Sequence, residues 1–172
     1  MRGRCAMVVG MAGALLSACA ATGDRTTAPA APPPERIAFS QGPCFGFCPV
    51  FRAAIAPDGV VSFDGERHTA VLGHRERGAG TAAYAHFAAA LAPFRPAIGT
   101  KAETACEVRI SDQSHLRISW TAADGTETVL DHDRGCRSPA NDRLNRVIAD
   151  APATLGIAPW AAQLTRPGAS RG

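Results

Sequence analysis

Apolar and polar residues alternate over several short stretches of the chain and twice give way to helical spacing. Phe51, Ala53 and Ile55 occupy alternate positions with Arg52 between them, which predicts a strand over 50–56 with one buried face. Pro57-Asp58-Gly59 is a strong turn signal, and the alternation resumes at Val61 and Phe63, so this segment reads as a hairpin. A second turn is expected at Asp64-Gly65, leading into a strand over 67–72 and giving a three-stranded meander. A short first strand is expected over 36–40. Tyr84, Phe87, Ala88 and Leu91 then follow the i, i+3, i+4, i+7 spacing of an amphipathic helix, with Thr81 as its cap and Pro93 as its stop.

The second half repeats this order without a residue-level repeat. Leu116, Ile118 and Trp120 alternate, Asp124-Gly125 turns, and the chain returns over 126–131. Ser138-Pro139 is a good N-cap and first-turn pair, followed by Leu144, Val147 and Ile148 on one helical face. The expected class is α+β: an antiparallel sheet of about five to six strands, meander plus hairpin, with two helices on one face.

The two ends of the sequence are different in character. Arg2 and Arg4 precede a short apolar stretch over 6–16 that Gly10 and Gly13 interrupt, and no charge follows until Asp24. That is the build of a secretory signal; a spanning helix needs roughly 20 strongly apolar residues. The run Leu16-Ser17-Ala18-Cys19 resembles the bacterial lipobox. The resemblance implies a signal peptide over 1–18, a diacylglycerol thioether on Cys19 and an acylated new N-terminus, so that the membrane is a partner through the lipid on Cys19. The alternative is an ordinary signal cut after Ala18 or Ala21. Ala20, standing where an aspartate favours inner-membrane retention, implies an outer-membrane lipoprotein facing the periplasm. Residues 19–35 hold Pro29, Pro32, Pro33 and Pro34 among alanines and threonines and read as a semi-rigid linker. A single domain is expected over 36–158, and residues 159–172, with Trp160, read as a flexible tail.

With 172 residues, 46% of them hydrophobic and 19% charged, the chain suits one ordinary domain. Without Arg2 and Arg4 the 18 basic side chains become 16 against 15 acidic ones, a net charge of +1. That balance gives no footprint for nucleic acid. All methionines (Met1, Met7, Met11) lie in the expected signal, which removes thioether copper chemistry from the domain. Cys44, Cys48, Cys106 and Cys136 are an even set in an exported domain and read as two disulfides, with three pairings open. The Cys44–Cys48 spacing suits a small closed loop, aided by the backbone freedom of Gly46, and also a redox pair. Thioredoxin-type centres instead use two intervening residues at a helix N-terminus, whereas Pro49 and a strand follow here.

The segment Gly42-Pro43-Cys44-Phe45-Gly46-Phe47-Cys48-Pro49-Val50-Phe51 resembles the hallmark of a bacterial secreted domain family of unknown function, a C-F-G-x-C-P run leading into a strand that ends in a D-G turn. Asp58-Gly59 supplies that turn, and Asp64-Gly65 matches a further glycine. The resemblance covers about 37–73, more loosely about 37–148. Phe51 stands where the family usually has tyrosine, and Phe47 where a small residue or proline is common. The family carries no established activity. Its hallmark centres on the first cysteine pair, which implies the bonds Cys44–Cys48 and Cys106–Cys136.

The remaining chemistry is sparse. His68, His74, His86, His115 and His132 form no metal-binding spacing. Asp131-His132-Asp133 is the densest ionisable cluster; it could hold a metal if a third element approached, but reads as a solvated turn beside Cys136, and His74-Arg75-Glu76-Arg77 reads as an exposed loop. There is no nucleophile elbow, phosphate-binding glycine loop or paired-carboxylate motif. No catalytic, metal or cofactor residues are assigned. The expected function is a non-enzymatic binding module of the envelope with an unidentified protein partner; the alternative is a periplasmic thiol-disulfide protein using Cys44 and Cys48.

Overall fold

The computed structural model describes residues 34–164, within the unit of the chain that begins at Pro33. The expected signal, Cys19 and most of the expected linker lie outside the described residues. The elements are β1 Arg36–Gln41, β2 Val50–Ile55, β3 Val60–Arg67, β4 Gly73–Gly78, α1 Thr81–Leu91, a 3-10 turn Ala92–Phe94, β5 Lys101–Glu103, β6 Val108–Arg109, β7 His115–Thr121, β8 Glu127–Asp133, β9 Cys136–Arg137, α2 Pro139–Thr154 and α3 Ala158–Ala161. Strands β4-β3-β2-β1-β7-β8-β5 make one seven-stranded sheet, and β6 with β9 makes a separate pair. All neighbours in the large sheet are antiparallel except β5, which runs parallel to β8.

Alternation dictates what each face of the sheet does. Ile37 and Phe39, Phe51, Ala53 and Ile55, Val61 and Phe63, and Leu116, Ile118 and Trp120 all point to one side and are buried with Phe87 and Leu91 of α1 and Leu144, Ile148 and Ala151 of α2. Phe39, Phe51, Phe63 and Phe87 form a chain of ring contacts with centroids 5.4–5.8 Å apart. The fold is α+β with helices on one face of a mostly antiparallel sheet, two strands wider than the meander and hairpin alone supply. The opposite face carries Arg36, Ala38 and Ser40, Arg52, and Arg117, Ser119 and Thr121 around a shallow depression of about 300 Å³.

The two hairpins turn in the same way. Ala56 N–H donates to Val60 O and Gly59 N–H to Ala56 O, while Asp58 Oδ1 accepts from Val60 N. Ala122, Thr126, Gly125 and Asp124 repeat each of these bonds. Both glycines hold φ near +86°, a conformation that favours glycine.

Several expectations are corrected. Asp64-Gly65 is not a turn; β3 continues through it to Arg67, with a register shift against β2 just after Gly65, and the third meander strand is β4 at Gly73–Gly78 instead of 67–72. Gly65 serves a close approach, since a Cβ there would lie 2.0 Å from Val71 O. His74 to Arg77 form an edge strand exposed on both sides, where charge blunts unwanted pairing. Asp131, His132 and Asp133 belong to β8. Thr81 is the first residue of α1 and not its cap, which is Gly80 without a side-chain bond. Ser138 does cap α2, accepting from Asn141 N. The tail does not begin at Pro159: Trp160 packs against Phe63 with centroids 5.9 Å apart, Ala161 is buried, and Gln163 bridges Thr69.

Candidate interaction surface

The register of the sheet gathers the loops into two groups at its two ends. At one end lie Glu35, the Pro57–Gly59 turn and the Asp124-Gly125 turn. At the other lie the β1–β2 loop over 42–49, the β3–β4 loop over 68–72, and the β6–β9 pair. Strands of six residues separate the ends by roughly 20 Å.

The 42–49 loop is the most constrained feature of the second end. Gly42 N–H donates to His115 O at 2.8 Å, the Gln41 amide donates to Pro49 O at 2.8 Å, and Phe45 N–H donates to Asp112 O at 3.2 Å. Cys44 and Cys48 are joined, with Cα atoms 5.7 Å apart, and both are half-buried. A ring this small has no interior for two aromatic side chains, so Phe45 is 88% exposed and Phe47 42% exposed. Phe47 meets the ring of His68 edge-on at 5.1 Å, and His68 O accepts from Leu164 N–H. Leu72, Leu164, Val108 and Ile110 are exposed at the same end. Cys106 and Cys136, Cα atoms 5.0 Å apart, tie β9 to the segment leading into β6, and Ile110 N–H donates to Gly135 O.

The charged groups around this apolar end are of both signs. Asp133, buried, accepts from Gly135 N–H at 2.8 Å and lies 3.2 Å from the Arg109 guanidinium and 4.0 Å from His115. Behind them runs a buried polar chain. Asn145 donates to Arg134 O, so its Oδ1 accepts from His132 Nε2–H at 3.2 Å and from Arg134 Nε–H at 3.4 Å. The Thr104 hydroxyl then donates to His132 Nδ1 at 2.8 Å. Burial first of all pushes the His132 pKa below its ordinary value, and the bond to Asn145 opposes this only in part.

The residues expected to carry chemistry are distributed by this geometry. No helix starts at Cys44 or Cys48, so the pair lacks the dipole that stabilises a redox thiolate. His132 faces the helices while Asp131 and Asp133 face away, so adjacent strand positions keep the three from converging. Among the described residues no group of three His, Cys, Asp or Glu side chains could hold a metal ion, and no helix is long and apolar enough to cross a membrane. The exposure of Phe45 and Phe47 is not part of the sequence expectation; its signal is two aromatics flanking one glycine inside a short cysteine ring.

These features define a small disulfide-stabilised α+β domain with an aromatic loop at one end. Residues 35–152 match the family described as a domain of unknown function, DUF6438, and the chain belongs to that family. No curated protein matches it.

Proposed function

We propose that this chain is an exported, envelope-anchored binding module, tethered through the lipid on Cys19 and residues 19–35, which engages a protein partner through the Phe45 end of its sheet. One observation carries the reading: Phe45 is almost fully exposed on a loop fixed by a disulfide and three backbone-anchored bonds. Rigid aromatic side chains lose little entropy on contact and dominate protein interfaces, especially within a polar rim. The mixed signs of Asp112, Arg109, Asp133 and His115 suit a protein better than an anionic lipid surface, which selects basic clusters. Two disulfides support an oxidising compartment. The domain is entered at Glu35, at the end of the sheet away from Phe45. A thiol-disulfide enzyme remains the alternative reading, with nothing in the surroundings of Cys44 and Cys48 to favour it.

Labelled fatty acid should enter the wild-type protein and not Cys19→Ser; label persisting in the mutant contradicts the anchor. Replacing Phe45 by serine should release the partner with the melting temperature unchanged, since that ring is almost fully exposed. Retained binding by the folded Phe45→Ser variant contradicts the surface.

A further inference from the structure

A second recessed feature lies beside the aromatic loop, between the β8–β9 turn and α2. Gln113, Arg134, Arg137, Asp142, Asn145 and Arg146 line a cleft of about 330 Å³. Asp142, Asn145 and Arg146 share one side of α2 by their i, i+3, i+4 spacing, and Arg134 and Arg137 face them from the end of β8 and from β9.

Arg134 is the unusual member. Its guanidinium is half-buried and has no carboxylate partner among the described residues: Nη1–H donates to Gln41 Oε1 at 3.2 Å and Nε–H to Asn145 Oδ1 at 3.4 Å. Both amides are themselves held, Gln41 by Pro49 O and Asn145 by Arg134 O. The fork is thereby oriented while its charge stays uncompensated, and burial alone lowers its pKa. The nearest carboxylate in sequence, Asp133, is committed to Gly135 N–H and Arg109. Arg137 pairs with Asp142 at 2.6 Å, and Arg146 adds its field to the same carboxylate. Three guanidiniums against one carboxylate leave two excess positive charges, and the unused N–H donors of Arg134 are preset for oxygen acceptors.

We infer that this cleft binds a doubly charged oxyanion, a phosphate-type group, independently of the aromatic surface. Inorganic phosphate and glycerol phosphate are titrated in parallel into the Cys19→Ser protein, made in an oxidising compartment, following the Nε–H resonances of the arginines. Arg134 and Arg146 should shift saturably, and Arg146→Gln should weaken binding about tenfold, the loss of one charge-assisted bond. Tighter binding of the ester assigns an esterified ligand; tighter binding of phosphate assigns the free ion. Arg146 lies on the helix surface, so its substitution spares the fold, and Arg134→Gln, read only if the melting curve stays cooperative, should abolish the shift. Shifts that never saturate, that appear equally at exposed Arg36, or that acetate reproduces at the same concentration overturn the site.

Discussion

Arg95 donates to Glu35 at 2.6 Å in a nearly buried ion pair, the side chains 14% and 7% exposed, at the point where the chain enters the domain. Glu35 is held twice more: its N–H donates to the Tyr84 hydroxyl, which donates in turn to Glu35 O. The Arg95 guanidinium lies 5.9 Å from the Trp120 ring centroid. Removing one partner of such a pair strands the other charge, at a cost of about 3 kcal/mol or more. Glu35→Gln and Arg95→Met are each expected to lower the melting temperature by on the order of 10 °C, and the double variant to recover part of the loss. Additive losses in thermal unfolding would contradict the pairing. The folding unit must therefore include Glu35, one residue before the boundary that composition suggests.

The two disulfides should contribute unequally. The chain-entropy argument gives about 3–4 kcal/mol for Cys106–Cys136, which spans 30 residues, and about 2 kcal/mol for Cys44–Cys48, which spans 4. Denaturant unfolding of the paired alanine variants measures both. Glutathione should leave Cys44–Cys48 intact, as in structural bridges of exported proteins. Rapid exchange there would instead promote the thiol-disulfide reading.

Acid sensitivity should trace to His132. Its folded pKa is lowered, chiefly by burial, so the unfolded chain takes up the proton more readily. The stability this neutral ring contributes is fully present above its ordinary value of 6.5 and is lost as pH falls through the lowered folded value. Protonation also removes the acceptor at Nδ1 that Thr104 uses. Urea midpoints should fall from pH 7.5 to pH 5 in the wild type, with a shallower fall in His132→Gln. His74 acts in the opposite sense, since bonding to Asp64 raises its pKa, but both variants carry it equally. Parallel slopes would show that His132 is not responsible.

Elements whose cause is local could be read from the sequence, and those set by distant contacts could not. Alternation at Phe51, Ala53 and Ile55 and at Leu116, Ile118 and Trp120 predicted strands that face the core, and Ser138-Pro139 predicted the start of α2. Gly65 misled because Asp-Gly is a local turn signal, while its actual role is to admit the carbonyl of Val71. β4 carries no apolar residue to reveal a strand, because an edge strand with both sides in solvent needs none. β5 has three residues and is defined only by its partner β8. Trp160 lies in a segment whose composition suggests a tail, yet its ring packs on Phe63 and its carbonyl accepts from Val71 N–H. The exposed end was hidden for the same reason: Phe45, Ile110 and Leu164 lie far apart in sequence and meet at one end only through strand register.

The most direct test places a photo-crosslinking aromatic residue at position 45 of the full-length chain in living cells, with position 60 as control. Val60 is also exposed, at the opposite end of the sheet. A discrete protein adduct from position 45, absent from position 60, is the expected result. Adducts from both positions alike, from position 60 alone, or only to lipid at position 45 would contradict the aromatic end as the protein-binding surface.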